Sequence, residues 1–239
     1  MLRRAFDLLD AFDVEHPELS VRELALRSGV ARSTTHRLAA ELVEWGALER
    51  TDGGLRLGGK LFELGTLVPG HTTIREAATP FLHTLHEVTH LTANLAVRER
   101  NQIVYLEKIS SRSLRVPHTR MGGRGTLHAT ALGKAILAYS DADPDALAPT
   151  LTPVTPRTIT TVRALRIELA RVRAARVAYD EEESQTGLFC VAAPVLDRSG
   201  SAIAAISVTG ATALAQAQRF APTVMAIAAS LGAALRPRR

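Results

Sequence analysis

Between Ser20 and Trp45 the chain permits few alternatives to two short helices joined by a tight turn. Ser20-Val21-Arg22-Glu23 is a capping box, in which the serine hydroxyl and the glutamate carboxylate satisfy free backbone donors at a helix start. A helix is therefore expected from Val21 to about Arg27. Ser28-Gly29-Val30 supplies a turn with glycine where left-handed backbone is cheap, and Ser33 can cap a further helix reaching about Trp45. Upstream, Leu2, Ala5, Phe6, Leu9 and Phe12 recur at helical spacing, which predicts a first amphipathic helix with one buried stripe, ended before Pro17.

Two helices around a glycine turn make a helix-turn-helix. On the helix after the turn, Thr34, Leu38 and Leu42 are expected to share one face, with the leucines toward the core. Arg32, Ser33, Thr35, His36 and Arg37 are left near the opposite face and the free N-terminus. No acidic residue occurs from Arg27 to Arg37, which suits a helix whose first turns meet base edges and phosphates in a major groove. Ser20 and Arg22, at the start of the preceding helix, join the candidate DNA contacts. Ala47 to Thr51, the turn Asp52-Gly53-Gly54, and Leu55-Arg56-Leu57 read as a β-hairpin, a wing from which Arg50 and Arg56 can reach phosphates.

Net charge adds little to this. The formal charge of +5 allows an anionic partner, yet residues 1–70 hold slightly more acidic than basic side chains, so DNA binding rests on local placement. Cys190 is the single cysteine, which rules out an intrachain disulfide and a multi-cysteine metal site and suits a reducing cytosol. Asp7, Asp10 and Asp13 interrupt any signal-like apolar run, and Val224 to Leu235 is too short to span a bilayer, so a cytoplasmic protein without a membrane partner is expected.

The stretch LSVRELALRSGVARSTTHRLAAELVEWGALER, followed by LRLGGKLFELG, resembles the DNA-binding half of the IclR family of bacterial regulators. The likeness continues through LHATALGKAILAY, YDEEESQTGLFCVAAPVLDRSG and AAISVTG. It implies a winged helix-turn-helix over residues 1–58, a linker helix region over 59–73 and a GAF-like effector-binding domain over 74–239. It further implies pairing of chains through the linker region, as a dimer or a dimer of dimers on a pseudo-palindromic operator in double-stranded DNA. Leu55 stands where the family usually has an aromatic residue, Thr126 where it often has proline, and Ala175-Arg176-Val177 where a glycine is usual. The chain also starts almost inside its first helix, so no N-terminal arm is expected to touch DNA.

Periodicity alone gives the second region an α+β character with a mostly antiparallel sheet flanked by helices. Lys60 to Leu67 and Ile74 to Val88 read as helices around Pro69-Gly70. Leu95 to Val97, Ile103 to Leu106, Leu114 to Val116, Phe189 to Leu196 and Ala202 to Thr209 read as strands, and 128–139, 162–176 and 220–235 as helices. The Arg-Pro-Arg-Arg end reads as a tail.

Thr130 can cap the helix that follows it, leaving the N–H groups of Ala131 and Leu132 at a helix N-terminus suited to a carboxylate. Cys190, Ala192 and Pro194 share one strand face, and all are small. Ser207 and Thr209 alternate with Ile203 and Ala205 to put two hydroxyls on an apolar face, as in a ligand pocket. The resemblance places effector contacts on Ala131, Leu132, Asp180, Cys190, Ser207 and Thr209, and a pocket-closing loop on Met121, Gly122 and Gly123, with Arg124 available to an anion. Against this stand plainer readings: Cys190 as a small core residue, Asp180 as a solvated charge or helix cap, and His128 as structural, since no metal-ligand spacing surrounds it. No nucleophile elbow, dinucleotide fingerprint or P-loop is present, so no catalytic residue and no cofactor is expected. A ligand-free DNA-binding scaffold is the remaining alternative.

Overall fold

A computed structural model describes residues 1–110, 119–211 and 218–236, and divides the chain into two compact units, Met1–Thr72 and Thr73–Arg239. The expected strand at Leu114 to Val116 and the last three residues of the Arg-Pro-Arg-Arg tail lie outside the described residues.

The first unit comprises α1 (Leu2–Leu9), β1 (Glu18–Leu19), α2 (Val21–Ser28), α3 (Arg32–Glu44), the hairpin β2 (Leu48–Arg50) and β3 (Leu55–Leu57), and α4 (Gly59–Thr66). Ser20 Oγ accepts from Glu23 N while the Glu23 carboxylate accepts from Ser20 N, and Gly29 closes α2 in the left-handed conformation at φ +68°. β1 adds to the hairpin, giving the order β1-β3-β2. Leu8, Leu24, Leu38, Leu48 and Leu55 form the core of this unit. Leu55 is thus wholly internal.

Three expectations in this unit are corrected. The N-cap of α3 is Ala31, and Ser33 lies inside the first turn without a capping bond. Thr35 is fully buried, because residues 35, 38, 39 and 42 form the i, i+3, i+4, i+7 stripe that packs inward. The expected first-helix stripe is buried only in part: Phe12 is buried and Leu9 packs against the core, but Leu2 is 73% and Phe6 57% exposed, and Leu8 points into the core from the same helix.

The second unit comprises most of α5 (His71–Thr89), then β4 (Thr92–Glu99), β5 (Gln102–Ile109), β6 (Arg124–Thr126), α6 (Ala131–Ala138), a 3-10 turn at Pro144–Thr150, α7 (Val162–Ala175), β7 (Ala178–Glu181), β8 (Phe189–Leu196), β9 (Ala202–Gly210) and α8 (Ala221–Ala234). Among the described residues the sheet has six strands, antiparallel in the order β6-β5-β4-β9-β8-β7. Both sheet faces are covered, so strands alternate between two cores rather than between core and water. Leu95, Val191, Ile206 and Val208 meet α5 and α8 on one face, and Ala96, Ile103, Ala192 and Ala205 meet α6 and α7 on the other.

Ile203 departs from the expected alternation. Val195 pairs with Ala204 and Leu196 with Ala202, so Ile203 is the extra residue of a bulge and packs toward the α5 and α8 side, opposite Ala205.

At the end of α7, Arg176 takes the left-handed conformation, φ 58° and ψ 21°, that glycine would adopt without strain. Left-handed backbone costs an L-residue about 1–2 kcal/mol, partly offset because glycine loses more freedom on folding. Arg176→Gly is expected to stabilise the protein by about 0.5–1 kcal/mol, raising the melting temperature by roughly 1–4 °C for a chain of this size. A calorimetric melt checks this; a lower melting temperature would contradict the strain argument.

Candidate functional site

α3 presents Arg32, Ser33, His36 and Arg37 to solvent, with Thr34 half-buried beside them. Thr35 cannot join them: its hydroxyl donates back to the carbonyls of Val30 (3.1 Å) and Ala31 (3.2 Å), locking the turn to the helix. The Arg37 guanidinium lies along the helix, donating to Glu41 at 2.8 Å. In the wing, Arg56 pairs with Glu49 at 2.8 Å and Arg50 is exposed. Exposed pairs of this kind are worth about 0–1 kcal/mol, so Arg37 and Arg56 can exchange their carboxylates for phosphate at small cost. Arg22 is exposed at the start of α2, whereas the Ser20 hydroxyl is engaged with Glu23 as donor and acceptor.

In the second unit a cavity of about 190 Å³ opens between the sheet and the start of α6. Six of the nine effector positions drawn from the resemblance line it: Ala131, Leu132, Asp180, Cys190, Ser207 and Thr209. Met121, Gly122 and Gly123 do not. Their backbone is held against β5, where Tyr105 N donates to Gly123 O at 3.0 Å and Gly122 N to Tyr105 O at 2.8 Å, and this leaves Arg124, Gly125 and Thr126 as the wall. Arg124 itself pairs with Glu99 at 3.0 Å.

The arrangement at α6 follows from local sequence. Thr130 Oγ1 accepts from Gly133 N at 3.0 Å, and Lys134 N makes the first intrahelical bond, to Thr130 O. The N–H groups of Ala131 and Leu132 are left ahead of that bond, without an acceptor among the described residues. Gly133 is required by proximity, since a Cβ there would stand 2.4 Å from Leu127 O.

With the helix-turn-helix and the cavity beside the capped start of α6 described, the comparisons with known proteins are decisive. Residues 1–52 match the IclR helix-turn-helix domain and residues 67–233 the bacterial transcriptional regulator IclR C-terminal domain. The chain belongs to the IclR family. It is 34% identical over 216 residues to the HTH-type transcriptional regulator XynR of Escherichia coli, covering 88% of this chain and 86% of that protein. An IclR homolog from Microbacterium hydrocarbonoxydans, solved with 4-hydroxybenzoate, superposes with a TM-score of 0.86 at 27% identity over 98% of both chains. The IclR of Thermotoga maritima gives 0.79 at 28% identity, again over 98% of both chains. The protein is therefore a transcriptional regulator with a helix-turn-helix DNA-binding domain and a C-terminal ligand-binding domain.

The cavity of this IclR-family chain contains side chains that sequence reasoning did not single out. Tyr105 lines it from β5, and burial pushes its phenol well above the usual value. Ser184, Gln185 and Leu188 line it from the segment after β7. Behind that segment Lys134, fully buried, forms ion pairs with Glu183 and, at 3.4 Å, with Glu168. Nothing in a lone lysine within GKAILAY signals this; only the fold turns it inward.

Asp180 is neither a solvated charge nor a helix cap. It is fully buried, accepting from the backbone of Glu183 (2.8 Å) and Ser184 (3.1 Å) and from the Ser184 hydroxyl, and burial raises its pKa against those bonds. Burial likewise pushes the Cys190 thiol up well above its ordinary value, with Asp180 adding to the effect, so Cys190 stands as a protonated wall residue. His128 is buried, with its ring nitrogen 3.1 Å from Thr152 O and burial lowering its pKa.

Burial also pushes Glu183 up to about 7 despite the Lys134 charge beside it. A carboxyl raised in the folded state holds its proton longer there than in the unfolded chain, so its contribution to stability is full below about 4.5 and is lost as pH rises through about 7. Glu183→Gln is expected to flatten this part of the stability profile. Urea unfolding of both proteins at pH 5 and 7.5 isolates the effect from His128, whose lowered pKa acts in the opposite sense; parallel profiles would refute it.

Proposed function

We propose that this regulator binds a pseudo-palindromic operator as a homodimer, and that a small organic acid held in the second-unit cavity modulates that binding. The observation that carries the effector reading is the convergence of two free helix N–H groups, two hydroxyls and a buried carboxylate on one small cavity. Free N–H groups at a helix start favour an anion. A dry cavity of about 150 Å³ accepts benzene, so about 190 Å³ accommodates one substituted ring or an acid of similar bulk. The Microbacterium relative solved with 4-hydroxybenzoate supports the same size class. Asp180 then takes a hydrogen bond from the ligand and keeps apart from its carboxylate, because two anions at contact repel.

Self-association is supported by the apolar surface of the first unit. Leu2, Phe6, Leu42, Trp45, Leu61 and Leu64 line a groove of about 480 Å³, with Trp45 78% exposed, and no residue of α4 is buried. Such a patch marks an interaction surface, and a second copy placing another α3 on DNA is the occupant that suits one helix-turn-helix per chain. The reading is regulatory, with no catalytic step, and no described helix is long and apolar enough to cross a membrane; a cytoplasmic site of action fits both.

On DNA, Arg32→Ala, His36→Ala and Arg37→Ala are each expected to weaken operator binding by about 1–3 kcal/mol where the side chain reads a base. Thr35→Val should lower stability by about 1 kcal/mol through its lost hydrogen bonds. Footprints should show two half-sites with centres about 10 bp, or a multiple, apart. Unchanged affinity in all three alanine variants would remove α3 from the groove.

For the effector, a panel of small aromatic and aliphatic acids should raise the melting temperature, since a ligand bound only by the folded state stabilises it. Ser207→Leu, which fills the cavity, should abolish that rise and keep operator binding. A Ser207→Leu protein that still responds with unchanged affinity would place the ligand elsewhere.

A further inference from the structure

Asn94 does not itself line the cavity. It lies on β4 directly opposite Ser207 of β9 and is completely buried. Its amide nitrogen is 3.3 Å from Ser207 Oγ and 3.2 Å from Thr209 Oγ1, donating to both. Each hydroxyl oxygen thus receives one hydrogen bond and retains its own hydrogen. Thr209 spends its hydrogen on Cys190 Sγ, 3.1 Å away. The Ser207 hydrogen has no acceptor among the described residues, and Ser207 lines the cavity.

We infer that Asn94 is a positioning residue that sets the hydrogen-bond polarity of the effector site: by donating to Ser207 and Thr209 it leaves Ser207 to donate into the cavity, where it selects an acceptor oxygen. The inference rests on the effector reading of this cavity and narrows its ligand class. With the N–H groups of Ala131 and Leu132, Ser207 makes a third donor on the cavity wall, a set that suits the two oxygens of a carboxylate more than the single oxygen of a primary amide, while Asp180 on the same wall accepts from a ligand hydroxyl.

The opposite orientation of the amide is disfavoured. Turned over, Asn94 would accept both hydroxyl hydrogens, strand two buried N–H donors, and take the Thr209 hydrogen from Cys190. The arrangement present leaves Asn94 Oδ1 buried without a partner among the described residues, as Thr92 Oγ1 also is, and leaves the Ser207 hydrogen to the cavity it lines. An unsatisfied buried acceptor weakens the fold, and an aliphatic side chain between Leu95 and Ala93 would avoid it; the amide is retained where it orients two pocket hydroxyls.

The test is calorimetric titration of the full chain with benzoate and 4-hydroxybenzoate, each beside its neutral amide. The wild-type chain should prefer the acid. In Asn94→Leu and in the milder Asn94→Ser the Ser207 hydrogen is free to turn away, and the acid-over-amide preference should fall about tenfold, chiefly through weaker acid binding. In a Ser207→Ala background Asn94→Ser should change that preference no further, since the two residues act as one unit. A merely structural Asn94 would weaken acid and amide alike; equal losses, or an unchanged preference in whichever variant folds, would overturn the assignment. If neither variant folds, wild-type binding of the amides as tight as that of the acids overturns it. Failure of the wild-type chain to bind any of the four probes would overturn the effector reading itself, and this inference with it.

Discussion

The shape of the second-unit cavity depends on one buried cation. Lys134 sits in α6 with no exposed surface and is held by Glu183, in the segment after β7, and Glu168, in α7. Removing such ions from water costs several kcal/mol each, and breaking a buried pair typically costs about 3–5 kcal/mol, so the three elements can depart from this arrangement only together. Against the cost of burial, the Arg171 hydrogen bond and the Lys134 charge hold Glu168 below its usual value, which keeps the cluster charged on that side. The start of α6 is thereby fixed one turn away, at Ala131 and Leu132, and so is the segment that brings Ser184 and Gln185 to the cavity.

That anchoring explains why so much of the second unit was readable from period and caps while its charge pairing was not. The ranges of β8 and α8, the Thr130 cap and the small residues at Cys190 and Ala192 follow from local rules that act within a few residues. Lys134 and Glu183 are 49 residues apart, and each alone resembles an ordinary solvated charge. Asn94 was missed for a similar reason. Its only signal is the pair Thr92 and Asn94 at two-residue spacing inside an otherwise apolar run, the counterpart of Ser207 and Thr209, and it gains meaning only when the register sets Asn94 opposite Ser207.

In the first unit the errors have a different cause. The Ser20 capping box and the Gly29 turn are local and were legible. The hydroxyl of Thr35 reads as polar and outward, yet back-bonding to Val30 and Ala31 makes it an apolar-facing residue that donates within the chain. Leu2 and Phe6 read as inward because a stripe of apolar side chains resembles core. A sequence pattern specifies that such a stripe will be covered, and leaves open whether the cover comes from its own chain or from another.

The two faces of the large sheet show how the cavity is compatible with stability. On the α5 and α8 side the central strands carry Leu95, Ile206, Val208 and Val191, a packed aliphatic layer. On the cavity side the same strands carry Asn94, Ser207, Thr209 and Cys190, a row that leaves a void and an unsatisfied oxygen. Each deficit on the cavity side lies beside aliphatic residues that face the other way, on strands paired on both sides. A hydrogen-bond donor aimed from such a strand is held more precisely than one on a loop. The polar row therefore sits on strands whose pairing on both sides holds its hydroxyls in register.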